Sequence, residues 1–565
     1  MIVSYEVIAA IEAELQRQRP GGWRRLTTEE LQQQSLRLFK SGWRVEVAER
    51  EIRPAGVDHL LLVIDAMFPN SQLRVAAPGM GSDFRWPHVE PNGFLCLRRT
   101  SVVARAGDRV RVHLCDALEL LNYSEEKCAR EFEREFGAYW SQRATQPHES
   151  LRVVSLVKPG GKSRQVSFHL DHRFSRLTVA NTKAEVKAWL NGAGSPIVDR
   201  DVQPGLLVRL KKPWTPTEFP RTVGDTVKGL PEDAVRSTLL PIRKSLFLFE
   251  ATTVTGPVFA AVLAGSAKSD KIKNGFRSWK HVPIEHIKRA MAQQRVERVV
   301  VSRVDAPWIH GRGHSVDQPS LQARKVAVIG CGSVGSEVAE LLAKAGIGEL
   351  SFIDNDDLTS ANVGRHLLGI DYLGWKKAKG VATELRRRLP HLKIGTTFTS
   401  KFEHLKPQEL AWLAEMDMIV TAGLDIEGEA AINVWRQSLE RPPAYLSTWV
   451  EAYALVGHAV LLFGKDDLMT RFEGERPAFR LTDWPAGTGG LIVEAGCGNV
   501  FQPHGAVDLQ PSIAMAAELV LDALLGRVPA SCRRVWFGNR DAVAAHGGTV
   551  REGFTDVNAI RQFSW

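Results

Sequence analysis

The chain has 565 residues, of which 44% are hydrophobic and 24% are charged. This length exceeds what one hydrophobic core organises, so we predict several domains, and the composition excludes a largely disordered protein. The formal net charge is +9, but the basic residues are scattered along the chain. That scatter favours a solvated basic face over nucleic-acid binding.

The apolar runs and the cysteines indicate where the protein works. No apolar run approaches the roughly 18 residues of a membrane helix, and Glu6 and Glu12 interrupt the N-terminal apolar pattern, unlike a signal peptide. We therefore expect a cytoplasmic protein with no membrane partner. The six cysteines are dispersed without a Cys-x-x-Cys pair, which predicts free thiols and no zinc.

Residues 1–147 show a helical pattern over 3–18, short strand-like runs at 43–47, 60–66 and 73–76, and a helical pattern again after Cys96. In this last part Cys128, Phe132 and Phe136 are spaced four residues apart and would bury one stripe. The pattern predicts one α+β domain that ends in a polar, Pro-containing stretch. Cys115 and Cys128 are expected in its core.

Residues 148–315 predict a connecting domain of α/β or α+β type. Strand-like runs lie at 153–157, 206–210, 245–249 and 296–304, with a Pro-rich crossing at 213–220. We identify no catalytic constellation in this part of the sequence.

A nucleotide site is predicted where the apolar strand 325–329 runs into the segment 330–335 (GCGSVG) and then into a helix over 336–345. Gly330, Gly332 and Gly335 permit a tight turn, a close approach to phosphate, and close packing of the helix on the strand. A second strand, 350–353, ends at Asp354, whose carboxylate can accept the ribose hydroxyls. The pattern alone fits either a dinucleotide or ATP.

The residues that follow favour ATP. Asn362 and Arg365 come shortly after Asp354, and Lys377 begins the next helix. Arg and Lys together neutralise a triphosphate and the charge that builds up as pyrophosphate leaves, and hydride transfer needs neither. A further strand, 418–424, leads directly into Asp425.

These elements together resemble the ThiF/MoeB/ubiquitin-activating superfamily of carboxylate-adenylating enzymes, over roughly residues 310–530. The resemblance implies a Rossmann-like adenylation domain over 316–565, which is usually dimeric. It also implies that Asp354 binds ribose, that Asn362, Arg365 and Lys377 bind the ATP phosphates, and that Asp425 holds Mg²⁺. The additional Asp common in the family is missing beside Asp425, so the metal assignment rests on that residue.

Cys497 lies in a glycine-rich loop (residues 494–508, EAGCGNVFQPHGAVD) ahead of an apolar helix predicted over 511–525. Flanking glycines would leave its thiol accessible to a bound acyl-adenylate. Its position resembles that of the catalytic cysteine of bacterial ubiquitin-activating-type enzymes. The alternative is a loop cysteine without a chemical role.

Cys96 lies in the segment 86–97 (WPHVEPNGFLCL), which resembles the His-Pro-Asn…Gly-x-Ile-Cys-Leu segment of ubiquitin-conjugating enzymes. The resemblance implies a second thioester site in a ubiquitin-conjugating-like domain. Trp86 and His88 replace the first and third residues of the triplet. His88 could donate the hydrogen bond that the family's Asn supplies, or act as a base. The alternative for Cys96 is a buried core cysteine.

An activating and a conjugating module in one chain resemble the bacterial fused enzymes of CBASS anti-phage operons. The resemblance implies adenylation of a flexible protein C-terminus, a thioester at Cys497, transfer to Cys96, and attack by an amine of a target protein. The implied substrate is a cGAS-like nucleotidyltransferase. Two alternatives keep an enzymatic function: a bacterial ubiquitin-like substrate, or a plain adenylyltransferase whose N-terminal domain only binds substrate. A third, a non-enzymatic nucleotide-sensing scaffold, would leave Arg365, Lys377 and Asp425 without a purpose.

Overall fold

The structure is a computed structural model that describes residues 4–32, 36–54, 56–81, 85–143, 151–240, 244–265, 270–474, 476–485, 492–493, 500–501, 504–551 and 558–565. Within these residues the strands form one four-stranded and two eight-stranded sheets, besides three short antiparallel sheets of two strands each. The three large sheets follow one another along the chain. Among the described helices, none is long and apolar enough to cross a membrane.

The first sheet is antiparallel throughout, and its strands neighbour one another in chain order. Its strands are β1 (Trp23–Arg25), β2 (Ser41–Glu46), β3 (His59–Ile64) and β4 (Arg74–Ala76). The helices of this region are α1 (Tyr5–Gln18), α2 (Thr28–Leu31), α3 (Ala106–Leu121), α4 (Glu125–Arg134) and α5 (Phe136–Arg143). Ser4 caps α1, which packs against α3, and both helices bury their apolar faces on Trp43 and Leu62 of the sheet.

The predicted apolar stripe on α4 and α5 is buried, but much of it packs against the next domain. Phe132, Phe136, Tyr139 and Trp140 join the core of the central sheet, because α1 and α3 already cover the apolar face of the first one. Cys128 is buried as expected. The expectation for another cysteine was wrong: Cys115 is exposed, because it lies on the solvent face of α3.

The central sheet is mixed, in the order β11-β10-β9-β8-β6-β7-β5-β12. Its strands are β5 (Arg152–Ser155), β6 (Arg164–Asp171), β7 (Arg176–Ala180), β8 (Gln203–Arg209), β9 (Ser245–Thr253), β10 (Gly256–Ala264), β11 (Glu297–Val299) and β12 (Val301–Arg303). The accompanying helices are α6 (Lys183–Gly192), α7 (Val223–Val227), α8 (Glu232–Leu239), α9 (Asp270–Lys273) and α10 (Ile284–Met291).

The strand predicted over 296–304 is two strands, β11 and β12, which pair with opposite edges of this sheet. Only Val300 separates them, so the sheet must curl until its two edges meet. Two apolar cores result, one lined by residues such as Phe168 and Leu248, and one by residues such as Phe247 and Phe249. Alternate residues of β9 thus face different cores, as the two-residue period of a strand requires.

The third sheet has the order β15-β14-β13-β16-β17-β18-β24-β26, and β13 to β17 run parallel. Its strands are β13 (Lys325–Ile329), β14 (Glu349–Ile353), β15 (Lys393–Phe398), β16 (Met418–Ala422), β17 (Ala444–Val450), β18 (Val456–Leu462), β24 (Cys532–Phe537) and β26 (Ala559–Ser564). Short strands outside it are β19 (Phe472–Glu473), β20 (Arg476–Pro477), β21 (Thr482–Asp483), β22 (Ile492–Val493), β23 (Val500–Phe501) and β25 (Thr549–Val550).

Apolar cores lie on both faces of this sheet, as in an α/β domain. The helices of this region are α11 (Ala306–Ile309), α12 (Gln318–Gln322), α13 (Ser333–Ala345), α14 (Lys377–Arg388), α15 (Pro407–Leu413), α16 (Ile426–Ser438), α17 (Ala506–Leu524) and α18 (Arg540–Ala545). The strand order reverses between β13 and β16, which leaves a crevice at their carboxyl ends. The predicted Rossmann-like fold is confirmed.

Candidate nucleotide and thiol sites

A cavity of about 320 Å³ occupies the crevice beside β13, and Gly330, Gly332, Asp354, Lys377 and Asp425 all line it. These five residues were predicted as nucleotide ligands from the sequence. The structure therefore brings together side chains and glycines that are spread over nearly a hundred positions.

The three glycines of the loop have different functions. Gly330 has φ of +86°, and a Cβ there would lie 2.5 Å from the carbonyl oxygen of Ala422. A Cβ on Gly335 would lie 1.9 Å from the carbonyl oxygen of Gly330, so α13 can approach the loop only with glycine at this position. A Cβ on Gly332 would meet no atom within 4 Å, so this side of the loop leaves space for a ligand.

Asp354 is fixed at the cavity wall by two backbone groups. The Cys331 N–H donates to its Oδ2 at 2.6 Å, and the Asp356 N–H donates to its Oδ1 at 2.7 Å. Burial raises the pKa of Asp354, while these two hydrogen bonds act in the opposite direction. The ribose-binding role of Asp354 stays a prediction.

His366 supports the glycine loop from behind and was missed by the sequence analysis. Its Nδ1 accepts the Leu368 N–H at 3.0 Å, so its Nε2 carries the proton and donates to the Cys331 carbonyl oxygen at 2.6 Å. Burial lowers the pKa of His366 to about 4, so the ring is neutral near pH 7. Its position directly after Arg365 was the only signal in the sequence.

Two lysines bring positive charge into the cavity. The Nζ of Lys377, at the start of α14, lies 2.9 Å from Oδ2 of Asp356. The Nζ of Lys401, which the sequence analysis missed, lies 3.3 Å from Oδ2 of Asp425. Lys401 lies just beyond the carboxyl end of β15, the edge where such sites form, and that position could have identified it. Both ammonium groups are near enough to the cavity to exchange carboxylate partners for phosphate oxygens.

Asn362 and Arg365 lie outside the set of described residues that line this cavity. Oδ1 of Asn362 accepts hydrogen bonds from the Thr359 backbone N–H and hydroxyl, both at 3.0 Å, and so caps a short 3₁₀ turn. Arg365 ends that turn. The pKa of His504, which lies just before α17, is lowered first by the burial of its own ring and then by the positive charge of Arg365. The phosphate-binding roles of Asn362 and Arg365 stay predictions.

The cavity offers oxygen ligands for a metal ion. Asp425 caps α16 by accepting the Gly428 N–H at 2.8 Å through Oδ1. The carboxylates of Asp356 and Glu403 line the same cavity. Several carboxylate oxygens without sulfur or imidazole partners fit Mg²⁺. Asp425 as a metal ligand stays a prediction.

The predicted catalytic Cys497 lies outside the described residues, and the structure carries no statement about it. The helix that follows is α17, which begins at Ala506 rather than at residue 511. Gly505 precedes its first turn, and Asp508 accepts the Gly505 N–H at 2.8 Å.

Cys96 is exposed and lines a cavity of about 590 Å³ together with His88 and Glu135. Its backbone N–H donates to the His88 carbonyl oxygen at 2.7 Å. Its Sγ lies 3.8 Å from Oε1 of Glu90, which in turn pairs with Arg74 at 2.6 Å. Partial enclosure by the cavity wall, and then the Glu90 charge, raise the pKa of the Cys96 thiol. The resting group is therefore a thiol rather than a thiolate.

The loop ahead of Cys96 is anchored by residues that replace the family triplet. Trp86 Nε1 donates to the Leu120 carbonyl oxygen of α3 at 2.8 Å. Both ring nitrogens of His88 face carboxylates, with Nε2 3.1 Å from Glu131 and Nδ1 3.5 Å from Glu135. Because each ring nitrogen already faces a partner, the geometry favours a supporting role for the His88 side chain over that of a base acting at Cys96.

Two protein families account for the two sites. Residues 309–465, which contain the nucleotide cavity, match the ThiF family, and residues 23–147, which contain Cys96, match the prokaryotic E2 family B. The chain therefore carries an activating-type domain of the ThiF family and a conjugating-type E2 domain in one polypeptide.

Two similar proteins have names that describe ATP-dependent ubiquitin transferase-like activity. The chain is 29% identical over 242 residues to the ATP-dependent ubiquitin transferase-like protein Cap2 of Pseudomonas aeruginosa, covering 41% of this chain and 42% of that protein. It is 30% identical over 134 residues to Cap2 of Enterobacter hormaechei, covering 23% of this chain and 21% of that protein. These matches span less than half the length of either relative.

Among solved structures, the crystal structure of Escherichia coli MccB with succinimide is 17% identical, with a TM-score of 0.31, and covers 44% of this chain and 66% of that chain. The Rossmann-like fold is assigned from the strand order of the third sheet.

Proposed function

We propose that this protein uses ATP to adenylate the C-terminal carboxylate of a protein tail and passes the acyl group from Cys497 to Cys96 and then to an amine. One observation carries the proposal. A cavity lined by the buried carboxylate of Asp354 and by two lysines occurs in the same chain as an exposed thiol inside a segment that matches the E2 family. The presence of one site does not imply the presence of the other, so their occurrence in one chain supports successive steps of one reaction.

Adenylation requires attack of a carboxylate oxygen on the α-phosphorus of ATP, with release of pyrophosphate. Asp354 holds the ribose, while Lys377 and Lys401 offset the charge that develops on the leaving phosphates. Asn362 and Arg365 contribute further contacts to the same phosphates. Asp425 would hold Mg²⁺, which would supply further charge neutralisation on the phosphate oxygens.

The acyl group then moves in two steps, formation of a thioester at Cys497 and exchange of that thioester onto Cys96. The Cys497 thiolate attacks the acyl-adenylate and releases AMP, and the Cys96 thiolate attacks the resulting thioester and frees Cys497. An amine of a target protein finally attacks the Cys96 thioester and forms an amide, while the C–S bond breaks and the departing Cys96 sulfur takes up the proton that the amine loses. The two thioesters retain the activation that ATP supplied, and formation of the amide uses it.

The resemblance to the fused enzymes of CBASS operons supports a role in anti-phage defence, with a cGAS-like nucleotidyltransferase as the tail protein. The relatives named ATP-dependent ubiquitin transferase-like protein support the conjugation chemistry. We expect a cytoplasmic homodimer. A bacterial ubiquitin-like protein is the alternative substrate, since the chemistry is the same. A plain adenylyltransferase is the second candidate function, and the Glu90 carboxylate favours it, because it lies 3.8 Å from the Cys96 Sγ and disfavours the thiolate.

Non-reducing electrophoresis with ATP, Mg²⁺ and a candidate tail protein tests the order of events. Cys497→Ala should keep ATP–pyrophosphate exchange and lose both thioesters, whereas Cys96→Ala should stop with the acyl group on Cys497. Target modification at the wild-type rate by Cys96→Ala would refute the relay and favour the second candidate.

A further inference from the structure

The backbone beside Cys96 is held by a side chain from α5. The His88 N–H donates to the hydroxyl oxygen of Tyr139 at 2.6 Å. The carbonyl of the same His88 accepts the Cys96 N–H at 2.7 Å. Tyr139 and the nucleophilic residue are thus two hydrogen bonds apart through one intervening residue.

His88 itself adopts a backbone conformation that needs outside support. Its φ is +58°, a left-handed conformation that non-glycine residues seldom adopt unless surrounding contacts hold them there. Those contacts come from the far side of the cavity. Glu131 on α4 and Glu135 between α4 and α5 flank the two ring nitrogens, and Tyr139 binds the backbone.

Helix α5 is in turn fixed by the central domain. Trp140 Nε1 donates to the Val299 carbonyl oxygen of β11 at 2.9 Å, and both partners are buried. The ring of Phe219 packs edge-on against Phe136 and Trp140, with centroid distances of 6.0 and 5.0 Å. Tyr139 is 4% exposed and belongs to the same core. The position of its hydroxyl therefore depends on the central sheet.

We propose that Tyr139 is a positioning residue for Cys96, and that the central domain sets the place of the reactive thiol through α5. This gives the connecting domain a role in the transfer step, and to that extent it rests on the proposed function. A nucleophile displaced by about 1 Å from its attack geometry loses on the order of a hundredfold in rate. The hydrogen bond from His88 to Tyr139 prevents that displacement.

Thiol alkylation of the full-length chain tests the proposal without any acyl substrate. Tyr139→Phe removes only the hydroxyl oxygen and keeps the ring in its core. We expect the pH profile of iodoacetamide modification at Cys96 to change, with a rate difference of about fivefold near neutral pH. Cys115 is exposed on α3 of the same domain and provides an internal control whose rate should stay constant.

Single-turnover discharge of the Cys96 thioester to free lysine gives a second readout. Tyr139→Phe should lower the rate at saturating lysine about tenfold and leave the lysine concentration for half-maximal rate unchanged. Glu131→Gln and Glu135→Gln should lower the rate to a smaller extent. Glu126→Gln, on the exposed face of α4, is the matched control and should react like the wild type.

The outcomes separate the two proposals. If wild-type Cys96 never carries an acyl group, the proposed function fails, while the alkylation profile still decides the role of Tyr139. If Tyr139→Phe alters neither the alkylation profile of Cys96 nor the discharge rate, the positioning role is overturned.

Discussion

The nucleotide cavity and the Cys96 site differ in how their parts are connected. The cavity is built within one domain, where a strand, a glycine loop and a helix follow one another directly. Its two lysines come from the start of α14 and from just beyond the end of β15. The Cys96 site combines a loop of the first domain, the helices α4 and α5, and the core of the central sheet. Damage to the first site should therefore stay local, whereas the second should respond to changes in another domain.

Removal of the Lys377 ammonium group from the nucleotide cavity should have the largest effect on a reaction rate. Lys377→Ala removes a positive charge from the nucleotide cavity, so ATP–pyrophosphate exchange should fall by about a hundredfold. Alkylation of Cys96 should not change, since the two sites are independent. Lys379→Ala, two residues further along α14 and exposed, is the control. An exchange rate within twofold of wild type in Lys377→Ala would remove the phosphate role.

Two glycines of the same loop separate folding from binding. Gly335→Ala places a methyl group 1.9 Å from the Gly330 carbonyl oxygen and should lower the free energy of unfolding by about 3 kcal/mol. Gly332→Ala meets no neighbouring atom, so it should retain stability and weaken nucleotide binding. Thermal unfolding and nucleotide titration measure the two effects. Equal stability loss in both variants would contradict the packing explanation.

The loop should also lose stability in acid. Because the pKa of His366 is about 4 in the fold against 6.5 for the free side chain, the unfolded chain takes up a proton first as the pH falls. Stability is complete above about pH 6.5 and declines towards pH 4, by about 2 kcal/mol at pH 5. Denaturant unfolding at pH 8 and pH 5 measures this loss. His366→Gln, which keeps a donor and an acceptor, should reduce the difference, and an unchanged difference would exclude His366 as its source.

The smallest expected effect concerns the thiol. Glu90→Gln removes the carboxylate 3.8 Å from the Cys96 Sγ and frees Arg74 from its pair, so the pKa of the thiol should fall. Iodoacetamide should then modify Cys96 about threefold faster at neutral pH. Glu119→Gln, in the same cavity but paired with Lys127, is the control. An equal rise in both variants would indicate a general change in cavity charge instead.

Sequence and structure agree best where the chemistry is local. The strand before the glycine loop occupies residues 325–329 as predicted, and Gly330, Gly332, Asp354, Lys377 and Asp425 meet in one cavity. Periodicity and turn chemistry predicted the glycine loop and Asp354, because these belong to one strand–loop–helix–strand unit, while Lys377 and Asp425 were assigned from the family resemblance. Lys401 and His366 were missed, because their roles arise only from packing against elements distant in the sequence.

The sequence by itself predicted three successive regions, the Rossmann-like pattern of the third, and Cys96 as the thiol that follows the loop containing His88. Only the tertiary structure decided that the aromatic stripe of α4 and α5 packs on the central sheet, and that Tyr139 thereby reaches the backbone beside Cys96. The physical reason is that an apolar stripe in the sequence predicts burial against some apolar surface and does not identify that surface. Which apolar surface is still uncovered depends on every other element of the fold.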